Sequence, residues 1–261
     1  MSDDPTPRPS SEAGTEAALT GDDLADLIAD NLAAVRGRVD AACVRAGRRP
    51  EEVRLLPVSK TFGPDAVRAA HAAGVRLLGE NKVQELQAKH RQTHADLPDL
   101  EWAAIGHLQT NKAKVVAQLA SEFHALDSLR LAAELDKRLR AADRTLRVLV
   151  QVNSSGEESK YGLSPDEVPA FADELAGFDR LEVAGLMTLA VNSPDLRMVA
   201  DNFELMTTLQ QRLRSSGAPG QWDELSMGMS GDFELAIEYG ATTVRVGTAI
   251  FGARPHPDAW W

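Results

Sequence analysis

Lys60 carries the first chemical possibility in this chain. It closes the run Val53-Arg-Leu-Leu-Pro-Val-Ser-Lys60, an apolar, strand-like stretch that gives way to a helix start. The chain holds 7 lysines against 21 arginines, so arginine is its default cation. A lysine at the mouth of a buried strand is therefore there for more than charge. Lysine is also the cation whose pKa falls readily on burial, which frees an amine for Schiff-base chemistry. The plain alternative is a strand-end lysine that reaches solvent.

Two loops near the C-terminus offer a place for an anion. Met227-Gly-Met-Ser-Gly-Asp232 opens onto a helical pattern, with Ser230 placed as its N-cap. Free backbone N–H groups at such a terminus favour an anion. The strand-like run Thr243–Val246 leads into Gly247-Thr248, again a small residue and a hydroxyl where backbone must approach a ligand. Each loop alone is ordinary cap and turn chemistry. Together with Lys60 they point to a phosphorylated carbonyl compound, either a sugar phosphate or pyridoxal 5′-phosphate (PLP). Arg245 separates the two. It lies two residues before Gly247, so both share one face of the strand. An arginine beside the PLP ring nitrogen does not give up a proton and leaves the ring a poor electron sink. A carboxylate there would do the opposite.

These residues need a frame that brings strand ends together. Leu24, Leu27, Ile28, Leu32, Val35, Val39 and Cys43 recur at helical spacing and predict a long first helix ending near Gly47. Strand-like runs follow at Val53–Val58, Val75–Leu78, Trp102–Ile105, Glu122–Leu126, Leu146–Val152, Leu181–Leu189, Glu224–Met227 and Thr243–Val246. Helical segments lie between them, over 64–73, 81–94, 110–119, 128–142, 165–176, 195–216 and 231–239. Eight strands alternating with seven helices predict a parallel (β/α)8 barrel, an α/β fold with its chemistry at the strand C-terminal ends. A doubly wound sheet is the second choice, weakened by the absence of a G-x-G-x-x-G run after the first strand.

Composition narrows the function. The net charge is −11, and residues 1–30 contribute −7 of it, eight acids against Arg8. The remaining residues hold only −4 and show no basic stripe, which disfavours nucleic acid. Residues 1–20, rich in Pro, Ser, Thr and acid, read as a disordered acidic tail, and 21–261 as one barrel domain. No run approaches the ~20 apolar residues of a membrane span. The N-terminus lacks a basic region followed by an apolar one, so no signal peptide is expected. The single cysteine, Cys43, has no internal disulfide partner, and no Cys/His cluster has metal spacing. A cytoplasmic location fits.

Taken together, the strand-end motifs resemble the pyridoxal phosphate homeostasis family, single-domain barrels similar to the N-terminal domain of alanine racemase. The resemblance is carried by Val58-Ser-Lys-Thr61, Gly79-Glu-Asn-Lys-Val-Gln-Glu85, Ile105-Gly-His-Leu-Gln-Thr-Asn-Lys112, Ser159-Lys-Tyr-Gly162, Gly185-Leu-Met-Thr188, Leu225-Ser-Met-Gly-Met-Ser-Gly-Asp232 and Val244-Arg-Val-Gly-Thr-Ala-Ile-Phe-Gly252. It implies that Lys60 holds PLP through a Schiff base and that Asn81 sits beside the ring. It implies further that Ser230, Gly247 and Thr248, with Ser226 as a weaker member, hold the phosphate, and that Arg245 faces the pyridine nitrogen. Such proteins carry and buffer PLP, pass it on to apo PLP-dependent enzymes, and keep vitamin B6 and amino-acid pools in balance without efficient turnover. A monomer is expected.

The resemblance leaves competitors to weigh. A PLP-dependent racemase or lyase needs a second acid/base opposite the lysine, which alanine racemases take from a further domain. The tyrosines here are Tyr161, in a loop, and Tyr239, in a predicted surface helix, and the chain stops soon after the barrel closes. A Schiff-base aldolase on a sugar phosphate leaves Arg245 unexplained. An interaction module using Trp260-Trp261 competes with those rings folding back onto the barrel. Lys160, a second lysine near the mouth, is a candidate for transient contact with PLP. Lys82 is expected to point outward from a helix.

Overall fold

A computed structural model describes residues 21–253, so the acidic tail and Trp260-Trp261 lie outside the described residues. Eight parallel strands form one sheet: β1 Arg54–Pro57, β2 Leu77–Glu80, β3 Glu101–Ala104, β4 Glu122–Leu126, β5 Leu146–Val152, β6 Leu181–Thr188, β7 Glu224–Ser226 and β8 Thr243–Val246. Their order is β1-β8-β7-β6-β5-β4-β3-β2, so each strand lies beside its sequence neighbour and β1 and β2 end the ladder. A bridge between Val58 and Gly79, with Ser59 N–H donating to Gly79 O at 3.1 Å, joins those two ends. The sheet thus closes into the expected (β/α)8 barrel, and the sequential order rules out a doubly wound sheet.

Seven helices follow the first seven strands: α2 Pro64–Ala72, α3 Val83–Thr93, α4 Ala113–Leu119, α5 Leu129–Ala142, α6 Val168–Leu175, α7 Leu196–Ser216 and α8 Phe233–Glu238. After β8 comes only α9, Thr248–Phe251, four residues that are too short to cover the groove between β8 and β1. The first helix, α1 Gly21–Arg45, fills that place. Its buried stripe of Ile28, Leu32, Val35, Val39, Ala42 and Cys43 packs on α2, α8 and α9. Arg48, just beyond α1, fastens it by donating to Ile237 O at 3.0 Å and Ala241 O at 2.7 Å.

The main core lies between barrel and helices. Inside the barrel the filling is divided. Leu56 and Val58 of the first strand meet Ala103 and Ile105 of the third in a small apolar cluster. The rest of the interior is polar, with Arg54, Glu122, His124, Ser226 and Arg245 in hydrogen-bond contact across it. One strand departs from expectation. β2 runs two residues later than Val75–Leu78, which carries Gly79 and Glu80 into the sheet.

Candidate functional site

The C-terminal ends of the strands open onto a cavity of about 600 Å³. Lys60, Asn81, Ser230, Arg245, Gly247 and Thr248 all line it, so the fold gathers six of the seven expected site residues. Ser226 is the seventh, and it does not line the cavity. It is fully buried one layer below, where its Oγ accepts from Arg245 Nη1 at 2.6 Å and meets His124 Nδ1 at 3.1 Å. Its oxygen is committed to the arginine, which corrects the expectation of a phosphate contact to a supporting place beneath the site.

Lys60 sits in a tightly held loop. Thr61 has φ +70, a left-handed conformation that a β-branched residue adopts only under constraint. The constraint is a buried cluster of charges beneath the loop. Lys89 Nζ donates to Ser59 O at 2.6 Å, to Glu80 Oε1 at 2.6 Å and to Glu85 Oε1 at 2.8 Å. Glu85 Oε1 in turn accepts from Thr61 N at 2.5 Å, and Ser59 Oγ donates to Glu80 Oε1 at 2.5 Å. The peptide groups on both sides of Lys60 are therefore pinned. Burial raises the Glu80 carboxyl to about 7, against the pull of Lys89 and with added repulsion from Glu85.

Asn81 follows β2 directly. A Cβ on Gly106 would lie 2.2 Å from Asn81 O, so only glycine lets the two strand ends approach there. Lys82 is not on an outward helical face as expected. It stands before α3, at its N-cap, and lines the cavity rim.

The anion loops also differ from expectation in one respect. α8 begins at Phe233 with Asp232 as its cap residue, so Ser230 is not the N-cap. Asp232 turns its carboxylate back to accept from Met229 N at 2.5 Å, and burial pushes its pKa up. Ser230 Oγ instead accepts from Ala249 N at 3.4 Å, which ties the loop after β7 to the start of α9. That leaves the Ser230 hydroxyl proton to donate elsewhere.

Arg245 is 3% exposed, and its second terminal nitrogen donates to Thr188 O at 2.7 Å. Burial lowers its pKa to about 10, partly offset by Asp232, so it stays charged at neutral pH.

Four further residues of the wall were not among the expected site residues. His107 and Tyr161 stack with ring centroids 3.8 Å apart and planes at 9°, and His107 Nδ1 lies 3.3 Å from Asp127 Oδ2. Tyr161 thus stands at the rim, while Tyr239 caps α8 and does not line the cavity. Asn192 lines the opposite wall. Gln151, 4% exposed, donates from Nε2 to Tyr161 O at 3.1 Å, while its Oε1 has no partner among the described residues. Lys160 donates to Ala190 O at 3.0 Å and pairs with Glu157.

The charge of this wall is one-sided. Lys60, Lys82, Lys160 and Arg245 line it, and among the described residues no aspartate or glutamate does. In a chain of net charge −11 that is a built preference for an anion.

The family described as alanine racemase, N-terminal domain, matches residues 31–255. The chain is 43% identical over 235 residues to the pyridoxal phosphate homeostasis protein of Pseudomonas aeruginosa, covering 88% of this chain and 96% of that one. The chain belongs to this family. The Escherichia coli K12 member is 42% identical over 233 residues, covering 88% and 97%. Among solved structures, PipY of Synechococcus elongatus with PLP bound has a TM-score of 0.76 at 35% identity, covering 86% of this chain and all of that one. Alanine racemase of Clostridium difficile, at 17% identity and a TM-score of 0.66, shares the fold over 90% of this chain and 59% of its own.

The cavity fits a phosphorylated pyridoxal. The Ser230-Gly231 and Gly247-Thr248 end offers hydroxyls and backbone N–H groups with no acid beside them, as a phosphate requires. The buried, unpartnered Gln151 Oε1 offers an acceptor for a ligand hydroxyl or N–H.

Proposed function

We propose that this protein holds PLP at the barrel mouth and carries and buffers it, without efficient turnover. The observation that bears the reading is the wall itself, four cations and no carboxylate around a cavity that contains the constrained Lys60. When bound, the cofactor supplies an electrophilic aldehyde and a ring able to delocalise electrons. Lys60 is its covalent attachment point, held in register by the Ser59 and Thr61 peptide groups. Ser230, Gly231, Gly247 and Thr248 hold the phosphate, with Gly247 letting backbone approach closely. A Cβ at Gly247 would already sit 3.1 Å from Val58 O. Asn81 flanks the ring, and Arg245 faces its nitrogen as a donor that keeps its own proton. That choice of partner suits a carrier better than a catalyst, because it weakens the ring as an electron sink. It also sets this reading apart from a sugar-phosphate aldolase, which has no ring nitrogen for Arg245 to meet.

The domain reading of an acidic tail over residues 1–20 and one barrel over 21–261 goes with this proposal. So do a monomeric, cytoplasmic protein and hand-over of PLP to apo PLP-dependent enzymes. The test is an absorbance spectrum of purified protein with added PLP, for wild type and Lys60→Ala, followed by borohydride reduction and peptide mapping. A yellow band that the substitution removes, with the label on Lys60, is expected. No band in wild type, or a label elsewhere, overturns the reading.

A further inference from the structure

We infer that Arg54, Glu122, His124 and Ser226 form one directed hydrogen-bond chain through the barrel that fixes the guanidinium of Arg245 toward the cavity, making His124 a positioning residue for the ligand. The inference rests on the proposed PLP site.

Donor and acceptor roles along the chain follow from its chemistry. Arginine only donates, so Arg245 Nη1 donates to Ser226 Oγ at 2.6 Å. The serine oxygen accepts there, and its own proton goes to the other neighbour, His124 Nδ1 at 3.1 Å. Nδ1 is therefore bare, and the imidazole proton sits on Nε2, donating to Glu122 Oε2 at 2.8 Å. Arg54 closes the chain with two bonds to Glu122, from Nη1 at 2.5 Å and Nη2 at 2.8 Å. The other tautomer would set the bare Nε2 against a carboxylate oxygen and leave the serine proton without an acceptor. One tautomer satisfies every atom.

The groups facing His124 keep it neutral. They are Glu122 on its own strand, Arg54 from β1, Ser226 from β7 and Arg245 from β8. Burial lowers the imidazole pKa, with Arg245 and Arg54 adding to the effect and Glu122 opposing it. The neutral ring keeps the Glu122 carboxylate one residue away from Arg245. No carboxylate then takes up the guanidinium directly, since its printed partners are Ser226 Oγ and Thr188 O. Two of five N–H groups are engaged there, which orients the plane and leaves the charge to the cavity.

The test has one readout that needs no ligand. Imidazole nitrogen NMR of the full chain should show His124 as the neutral Nε2–H tautomer, unchanged from pH 5.5 to 8.5. A proton on Nδ1, or a titration in that range, overturns the inference whatever PLP does. The second readout compares His124→Leu with His124→Gln, whose amide can accept from Ser226 and donate to Glu122. With PLP bound, the leucine variant should release it about tenfold faster and shift its absorbance band, and glutamine should restore both. Equal behaviour of the two variants overturns the inference. Should the leucine variant fail to fold, Ser226→Ala carries the test. It should give the same faster release and band shift, and wild-type values for both overturn the inference. Failure of wild type to bind PLP at all counts against the proposed function and leaves the NMR result to decide the chain.

Discussion

Replacing Lys89 by methionine is the sharpest perturbation of the Lys60 loop that leaves the cavity wall itself unchanged. The ammonium is 5% exposed and stands between Glu80 and Glu85, whose side chains are 0% and 4% exposed. Methionine keeps most of the stem's volume and removes the charge. Two carboxylates then face each other in the interior and Ser59 O loses its donor. Stranding a buried charge in this way costs about 3–5 kcal/mol. Part of that is relieved by protonating Glu80, whose pKa is already raised to about 7 and rises further without Lys89. A carboxyl raised in the folded state contributes its stability below the unfolded value of 4.5 and loses it as pH rises through the folded value. The deficit of Lys89→Met is therefore larger at pH 8 than at pH 6, by up to about 1.4 kcal/mol per pH unit for one proton.

Urea unfolding at the two pH values measures this, with a midpoint lowered by about 1 M or more at pH 8. Glu80→Gln is the companion. It keeps the bonds to Ser59 and Lys89 in a group that is already half protonated near neutrality, and costs about 1 kcal/mol. A pH-independent loss below about 1 kcal/mol in Lys89→Met, or equal losses in both variants, would refute the reasoning. Ser59 O and Thr61 N hang on this cluster, so Lys89→Met should also trap less PLP at Lys60 on borohydride reduction.

Three further outcomes are expected. Burial pushes the Glu122 carboxyl up, but hydrogen bonds from His124 and Arg54 outweigh it and bring the pKa to about 2, against an ordinary 4.5. A lowered carboxyl stabilises above its unfolded value and loses that stability as pH falls through the folded one, so wild type should lose about 3 kcal/mol between pH 5 and 2 that Glu122→Gln does not lose. Gly106→Ala should cost at least about 2 kcal/mol and weaken PLP binding, since the new Cβ would meet Asn81 O at 2.2 Å; unchanged melting would show that the strand ends can part. Lys160→Ala should alter the rates of PLP uptake and release through loss of its rim cation and of the bond to Ala190 O; stopped-flow traces matching wild type would remove Lys160 from the site.

What the sequence discloses here is parity, and what it withholds is height. Alternation along a strand tells which residues share a face, so Arg245 and Gly247 read correctly as companions, and eight alternating elements read correctly as a barrel. Which residues meet across the barrel depends on how far each strand is staggered against its neighbours. Ser226 illustrates the difference. It faces inward as expected, but one layer below the mouth, where its partners His124 and Arg245 stand 102 and 19 residues away. Glu80 shows the reverse error. Gly79-Glu80 looks like a turn because glycine and a charge interrupt the apolar run. The glycine is needed because a Cβ would lie 3.2 Å from Val58 and 3.3 Å from Ile105, and the charge is tolerated because Lys89 reaches it from α3. The polar alternation Glu122-x-His124 was visible in the chain, but its meaning was not. A buried histidine between a carboxylate and a serine acquires a direction only when an arginine, which cannot accept, stands at one end. The site's outline could therefore be read from residue types at strand ends, whereas the layer supporting it depends on contacts that only the closed barrel creates.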